Sequence, residues 1–432
     1  MSGTSTAPPP RPMWRGLGFQ IILAMVLGVA MGFLFPAVAV QLKILGDIFL
    51  RLIKTAVAPL VFLCVASGIV AAGDFKRIGK VGLVAMLYFE LISTLALAFG
   101  LLAGNLLGVG KGMAAATAAA QGARPPVPAA GEAHTTLGFI LNIFPDNFVG
   151  AFARGELLQV LVVAILFGAA LLRMKADKRA PVERGLNRIS DVLFEFIHII
   201  MMMAPIGTFG AVAFAVGSSG SSVLLSLVYL VLTFYGTVIA FIAIVLGTVC
   251  ALFRLNLFHF LRFIREEIYI VLGTASSESV LPRLLEKLPR YGVSRQTAGL
   301  VLPTGYAFNL DGTSIYMSMG VIFLANAYGV PLDLGQQLGI LGIMLLTSKG
   351  AATVSGGSFV VFAATVAATG VLPVEGLAIL FGVYRFMSIA VATTNVIGNS
   401  IATVVTAKIC GEFDAEQHRK VDADLVLADA GR

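Results

Sequence analysis

Residues 223–253 run VLLSLVYLVLTFYGTVIAFIAIVLGTVCALF without one charged side chain. An apolar run of this length reads as a membrane-spanning helix, because about 20 residues at 1.5 Å each cross a hydrocarbon core of about 30 Å. Inside a bilayer every backbone N–H and C=O must be paired within the protein, so only helices and closed barrels are admissible. The runs here are long, rich in Leu, Val, Ala and Gly, and lack apolar/polar alternation, which excludes the barrel. The chain is predicted to be an all-α integral membrane protein.

Further spans are predicted near residues 16–36, 44–72, 81–109, 155–173, 190–216, 293–324 and 374–407. The balance of the chain agrees: 58% of its 432 residues are hydrophobic and 12% charged. Soluble domains carry roughly 45–50% and about 25%. The net charge of +7 is not a nucleic-acid footprint. Lys and Arg fall in short loops after the second, fourth and sixth spans, whereas 217–222 and 325–335 hold none. The positive-inside rule then predicts both termini in the cytoplasm. Residues 1–13 are polar and Pro-rich and predicted disordered, 14–410 form the membrane domain, and 411–432 form a charged cytoplasmic tail. The run behind the N-terminus lacks a signal-peptidase site and reads as the first helix. Cys64, Cys250 and Cys410 have no zinc spacing and no pairing pattern, and read as packing residues.

Two segments do not fit a simple count. Residues 258–290 and 336–371 each hold two apolar arms around a small polar tip, GTASSESVLP and TSKGAATVSGGSF. Each arm is too short to cross, so each segment is predicted to be a re-entrant hairpin. The topology makes the first enter from the cytoplasm and the second from outside. Two such hairpins, each followed by an interrupted span, indicate inverted repeats whose tips meet at a site near mid-membrane.

That site has a polar cluster. The stretch YAFNLDGTSIYM places Asn309, Asp311 and Thr313 around Gly312, with Gly305 one turn earlier. Asn395 and Asn399 lie four apart, on one face of the last span. A charge at the bilayer centre costs about 2.5–3.5 kcal/mol on insertion scales. Amide, carboxylate and freed carbonyl oxygens are hard ligands for a small hard cation. The same amides can serve helix–helix hydrogen bonding, but the cluster beside two polar tips favours a cation. Ser276 and Ser277 at the first tip and Ser348 at the second offer hydroxyls and N–H groups to carboxylates. Lys349 either adds positive charge there or snorkels to the interface. Glu90, in LYFELISTLAL with Ser93 and Thr94 one turn on, is predicted to be buried. It either couples a cation or proton or bonds a neighbouring helix. His198 has no polar neighbours and reads as a packed or interfacial residue.

SSES at 276–279, NLDGT at 309–313, SKGAATVSG at 348–356 and TNVIGN at 394–399 resemble the dicarboxylate/amino-acid:cation symporter family, which includes the glutamate transporters. ASSESVLPRLLEKL and LVLPTGYAFNLDGTSIYM are similar to its bacterial C4-dicarboxylate carrier branch, as are APLVFLCVASGI and FPDNFVGAFARGELLQVLVVAILFG. The resemblance implies eight transmembrane helices, two opposed hairpins, a homotrimer in a bacterial inner membrane and an elevator mechanism. A scaffold would span about 14–75 and 137–217, and a transport part about 80–110 and 223–410. By position, Gly305, Asn309, Asn395 and Asn399 match one cation site. Asp311, Ser93 and Thr94 match a second, with Glu90 where the amino-acid carriers tend to have Tyr. Ser348 and Ala351 match a third. Ser276, Ser277, Thr313, Val354 and Asn395 match substrate positions.

YRFMSIAVATTN departs from the branch, which carries Asp, Glu and Arg where this chain has Tyr384, Ile389 and Val391. The Arg would grip a distal carboxylate in bidentate fashion. Lys349 and Arg385 are the basic residues left to compensate, and Ser388 disfavours amino acids. The reading is therefore a symporter of a small organic anion, first of all C4-dicarboxylates such as succinate, fumarate and malate, driven by Na+ or H+. A monocarboxylate or neutral solute is the alternative that Val391 raises; an anion channel or a transport-dead sensor stands further off. No HExxH, GxSxG or Ser–His arrangement indicates an enzyme, and no cofactor is expected.

Overall fold

A helix that is apolar on all sides has no stripe to turn toward water, and the longest helices of this chain are of that kind. In a computed structural model the chain is a bundle of such helices. The structure describes residues 17–75, 79–113, 144–154, 157–219, 221–348 and 357–421. Among these there is no strand, only an isolated bridge between Val293 and Phe413.

The order is α1 (Leu17–Leu34), α2 (Pro36–Gln41), α3 (Lys43–Phe75), α4 (Lys80–Leu107), α5 (Phe148–Arg154), α6 (Leu157–Arg173), α7 (Ala176–Met201) and α8 (Ala204–Ser219). Next come α9 (Ser221–Phe241), a π turn at Ile242–Leu246 and α10 (Gly247–Leu252). Then follow α11 (Leu257–Phe263), α12 (Arg265–Thr274), α13 (Leu281–Arg290), α14 (Arg295–Phe308) and α15 (Asp311–Ala327). The last are α16 (Leu334–Thr347), α17 (Gly357–Thr369) and α18 (Leu377–Cys410).

Among the described residues three helices are long and apolar enough to cross a membrane: Lys80–Leu107, Val223–Leu252 and Ile379–Cys410. In the first two, 44% and 39% of the apolar stretch is buried, against 89% in the third. The first two therefore show a face to the outside, while α18 runs through the middle of the bundle. The span expected at 190–216 is corrected: α7 and α8 meet there at 50°. Pro205 explains the break, since it has no N–H to donate and its ring collides with the preceding turn. The span expected at 293–324 is two helices, α14 and α15, parted at Asn309 and Leu310.

α1 packs on α8, and α3 on α6, α7 and α8. α4 packs on α14, α15 and α18, and α18 also meets α9 and α12. α17 touches both sets, lying against α3 and α6 as well as α15, α16 and α18.

The segment 258–290 forms a helical hairpin of two ten-residue arms, α12 and α13. At 1.5 Å per residue each arm spans about 15 Å, half a hydrocarbon core. Glu267, 2% exposed, joins the arms by receiving the Lys287 ammonium at 2.7 Å. In the second segment α16 and α17 pair side by side, joined by a 2.8 Å hydrogen bond between Thr347 and Thr365. An Asp333–Gln336 capping box starts α16, which satisfies two of its orphan backbone groups.

Candidate functional site

The site begins where the seventh apolar run fails to stay helical. α14 ends at Phe308, and Asn309 (φ −122°, ψ 77°) and Leu310 (φ −106°, ψ 68°) leave the helical region before α15 restarts at Asp311. The restart aims the positive end of the α15 dipole, with first-turn N–H groups that have no partner within the helix, at the break. Asp311 stands there, and Asn309, Asp311 and Thr313 are all 0% exposed.

α18 supplies the opposite wall. The Asn395 side-chain oxygen accepts the Gly312 N–H at 2.8 Å, and its amide donates to the Thr313 hydroxyl at 3.3 Å. The Asn309 amide donates to Asp311 Oδ2 at 3.2 Å and to Asn399 Oδ1 at 3.3 Å. Two glycines make room for this. A methyl group on Gly305 would strike Asn399 Oδ1, and one on Gly398 would strike Asp311 Oδ2. The hydroxyls of Thr393, Thr394, Ser400 and Thr403 donate to carbonyls four residues back along α18. This lets a polar helix run buried with most of its hydroxyls paired.

α4 closes the third side. Ser93, 1% exposed, donates to the Phe308 carbonyl at 3.4 Å. Polar atoms without a hydrogen-bond partner here include Asn309 Oδ1, Asn399 Nδ2 and the hydroxyl of Tyr88, which lies within electrostatic range of Asp311. A buried acceptor left unpaired costs about 1–3 kcal/mol. The oxygen set (one carboxylate, amides, hydroxyls and broken-helix carbonyls) suits a small hard cation as cargo. Among the described residues no group of three His, Cys, Asp or Glu could hold a metal ion.

The structure thus brings Gly305, Asn309, Asp311, Thr313, Asn395, Asn399 and Ser93 together. Ser277 is buried at the tip of the first hairpin, and its carbonyl accepts the Tyr306 hydroxyl at 3.0 Å, one turn before the break. Ser276 is half-buried beside it; its carbonyl accepts the Ser279 hydroxyl at 2.7 Å. Ser348 is 3% exposed and donates to the Leu345 carbonyl at 3.4 Å. Val391, 3% exposed, stands with its carbonyl against Gly312. Lys349, Ala351 and Val354 lie outside the described residues. Thr94 is half-buried and turns back to donate to the Glu90 carbonyl at 2.7 Å.

The expectation that Glu90 is buried is corrected. It is exposed, on the outward stripe of α4 with Leu87 and Leu91. The reason is helical phase: Tyr88, Phe89, Ile92 and Ser93 form the inward face, and Glu90 falls outside that arc. Tyr88 and Ser358 are site residues that sequence reasoning did not assign.

The Thr313 hydroxyl lies 2.9 Å from that of Ser358, on the first turn of α17. Among the described residues no Lys or Arg is buried in this cluster; the one buried Arg, Arg179, is on α7. An anion here meets hydroxyl, amide and N–H donors.

Comparison with known proteins gives a consistent picture. A model of the sodium:dicarboxylate symporter family matches residues 17–409. The chain is 46% identical over 408 residues to a C4-dicarboxylate transport protein of Pseudomonas syringae pv. tomato, covering 94% of this chain and 88% of that one. It is 47% identical over 413 residues to one of Anaeromyxobacter sp. (strain K), covering 95% and 94%. To C4-dicarboxylate transport protein 1 of Polaromonas naphthalenivorans it is 48% identical over 418 residues, covering 96% and 92%.

Proposed function

The chain belongs to the sodium:dicarboxylate symporter family, and we propose that it carries C4-dicarboxylates across a bacterial inner membrane together with a cation. It is a membrane transporter and not an enzyme. The observation that carries the reading is the broken helix at Asn309–Leu310. It holds a fully buried carboxylate, an unpaired amide oxygen and the Thr313 hydroxyl within about one turn of each other, with the Ser358 hydroxyl 2.9 Å from that of Thr313. A permanent cation would stabilise such a cluster; a cation that comes and goes lets it bias the carrier between states.

Asn309, Asp311 and Ser93, with Tyr88 beside them, are the proposed cation ligands, and Asn399 and Gly305 shape the same pocket. Thr313, Asn395 and the Ser276–Ser277 tip are the proposed substrate contacts. Ser348 and Ala351 are further proposed cation positions, and Lys349 and Val354 further proposed substrate positions. α1–α3 and α6–α8 form the proposed scaffold of a homotrimer, and α4 with α9–α18 the part that moves, both termini lying in the cytoplasm. The denser packing within each group supports that division, and across it α8 reaches α18 and α17 reaches α3 and α6.

The test is uptake of labelled succinate into proteoliposomes under an imposed Na+ or pH gradient, with Val391→Arg run beside the wild type. Accumulation by the wild type above the external concentration is the expected result. Accumulation by the Arg variant alone would overturn the dicarboxylate reading and move the search to monocarboxylates. Equilibration without accumulation would indicate a channel.

A further inference from the structure

Away from the break, α1, α8, α9 and α18 leave a cavity of about 310 Å³ between them. Met25 and Val29 of α1 and Val212 of α8 form one wall, and Leu227 and Val231 of α9 with Val383 of α18 form the other. Every described residue on its surface is apolar. Each wall is tied within itself. Gly28 brings α1 so close to α8 that an added methyl would lie 2.9 Å from the Phe209 carbonyl oxygen. Tyr235 of α9 donates to the Phe386 carbonyl of α18 at 2.8 Å. The walls meet at Gly382, where an added methyl would lie 3.2 Å from Val212.

The mouth of the cavity is on α9. Val228 and Leu232 stand there, 57% and 66% exposed. Both belong to Val223–Leu252, a helix long and apolar enough to cross a membrane. What lies outside the mouth is therefore hydrocarbon and not water.

Size and polarity select the occupant. Water needs two to four polar partners, and a cavity lined only by apolar groups stays dry. An empty space forfeits the dispersion contacts of its lining. A helix of a second copy is about 10 Å across with its side chains, so 310 Å³ takes less than one turn of it. A flexible hydrocarbon chain fits. A cavity of about 150 Å³ holds one benzene ring, so this one holds about a dozen carbons, most of a lipid tail.

We propose that this cavity is a binding site for one phospholipid acyl chain, which enters past Val228 and Leu232 and lodges between the α1–α8 wall and the α9–α18 wall. The chain packs against helices of both the proposed scaffold and the proposed moving part, so the bilayer supplies a ligand to the seam between them. The site itself does not depend on what the protein carries.

The test uses the full chain in phosphatidylcholine vesicles that contain a phosphatidylcholine with a photoreactive diazirine on one acyl chain. After irradiation, the labelled residues are mapped by peptide mass spectrometry. Gly382 and Val383 report the cavity, because both are buried and out of reach of lipid that merely surrounds the protein. Leu225, 70% exposed on the outer face of α9, reports that surrounding lipid. Labelling of Gly382 and Val383 is expected to saturate as the probe fraction rises, while labelling of Leu225 rises in proportion. Val29→Phe combined with Val231→Phe fills the cavity from both walls. That variant is expected to lose the label at Gly382 and Val383 and keep it at Leu225, with melting in detergent as the check on folding.

No label at Gly382 and Val383 in the wild type, label there that rises without saturating, or a filled variant labelled like the wild type would overturn the proposal. So would labelling of these residues by a diazirine fatty acid alone, which would make the ligand a free acid and not a phospholipid tail. Should the filled variant fail to fold, saturation in the wild type decides.

Discussion

Asp311 is the residue on which the rest of the site depends. It is 0% exposed in the middle of the bundle, where an ionised carboxylate is stabilised by the α15 N-terminus and by amide donors, and further by a bound cation. Asp311→Ala is expected to abolish cation-dependent uptake in proteoliposomes while substrate-independent protein yield is kept; wild-type uptake in that variant would remove the cation site from Asp311. Tyr88 contributes only a hydroxyl whose hydrogen-bonding capacity is unused. Tyr88→Phe is therefore expected to raise the cation concentration for half-maximal uptake by about tenfold, with little change in melting temperature. Glu90 is expected to behave differently, because it faces out with Leu87 and Leu91. Glu90→Gln should leave the Na+ and pH dependence of uptake within about twofold, and a lost pH dependence would return it to the coupling path.

At the scale of elements, the first hairpin is held together by one buried pair. Glu267 is 2% exposed and Lys287 also lies over the Phe263 ring at 5.4 Å. Removing one partner of a buried pair strands the other, which costs about 3–5 kcal/mol, whereas replacing both with apolar groups of similar volume is often neutral. Lys287→Met is expected to lower the melting temperature in detergent, and Glu267→Leu combined with Lys287→Met to restore most of it. If the double variant melts lower than the single one, the pair is not what joins the arms. The Arg283–Glu266 contact, 3.8 Å and exposed on both sides, should matter little by comparison. α18 makes the complementary point. A side chain on Gly398 would collide with Asp311 Oδ2, so Gly398→Ala should cost transport while the helix itself gains propensity.

For the whole molecule, the outward faces matter as much as the core. α1, α4 and α9 expose Leu27, Leu83, Leu87, Leu91, Leu225 and Leu232, surfaces suited to lipid or to another copy. The proposed homotrimer predicts a detergent-corrected mass of three chains in light scattering, and a monomer mass would set that proposal aside. The proposed scaffold and moving part, which meet through α8 and α17 among others, predict that a disulfide engineered between them stops uptake and that reduction restores it. Uptake that persists through the cross-link would count against relative motion of the two.

Much of this was already written in the sequence. Membrane-length apolar runs leave a chain no choice but helices that satisfy their own backbone. Asn309, Asp311, Thr313, Asn395 and Asn399 stood out because polar groups in such runs are costly unless they meet. Local physics also marked the break at Asn309 and the polar tip at Ser276–Ser279. What the sequence could not decide was which side of each helix faces inward. Glu90 and Tyr88 are two residues apart, a difference of about 200° around the axis, and only the packing of α4 on α15 determines that Tyr88 approaches Asp311 while Glu90 turns away. The 2.9 Å contact between Ser358 and Thr313 joins α17 to α15, and exists only once those helices are packed together.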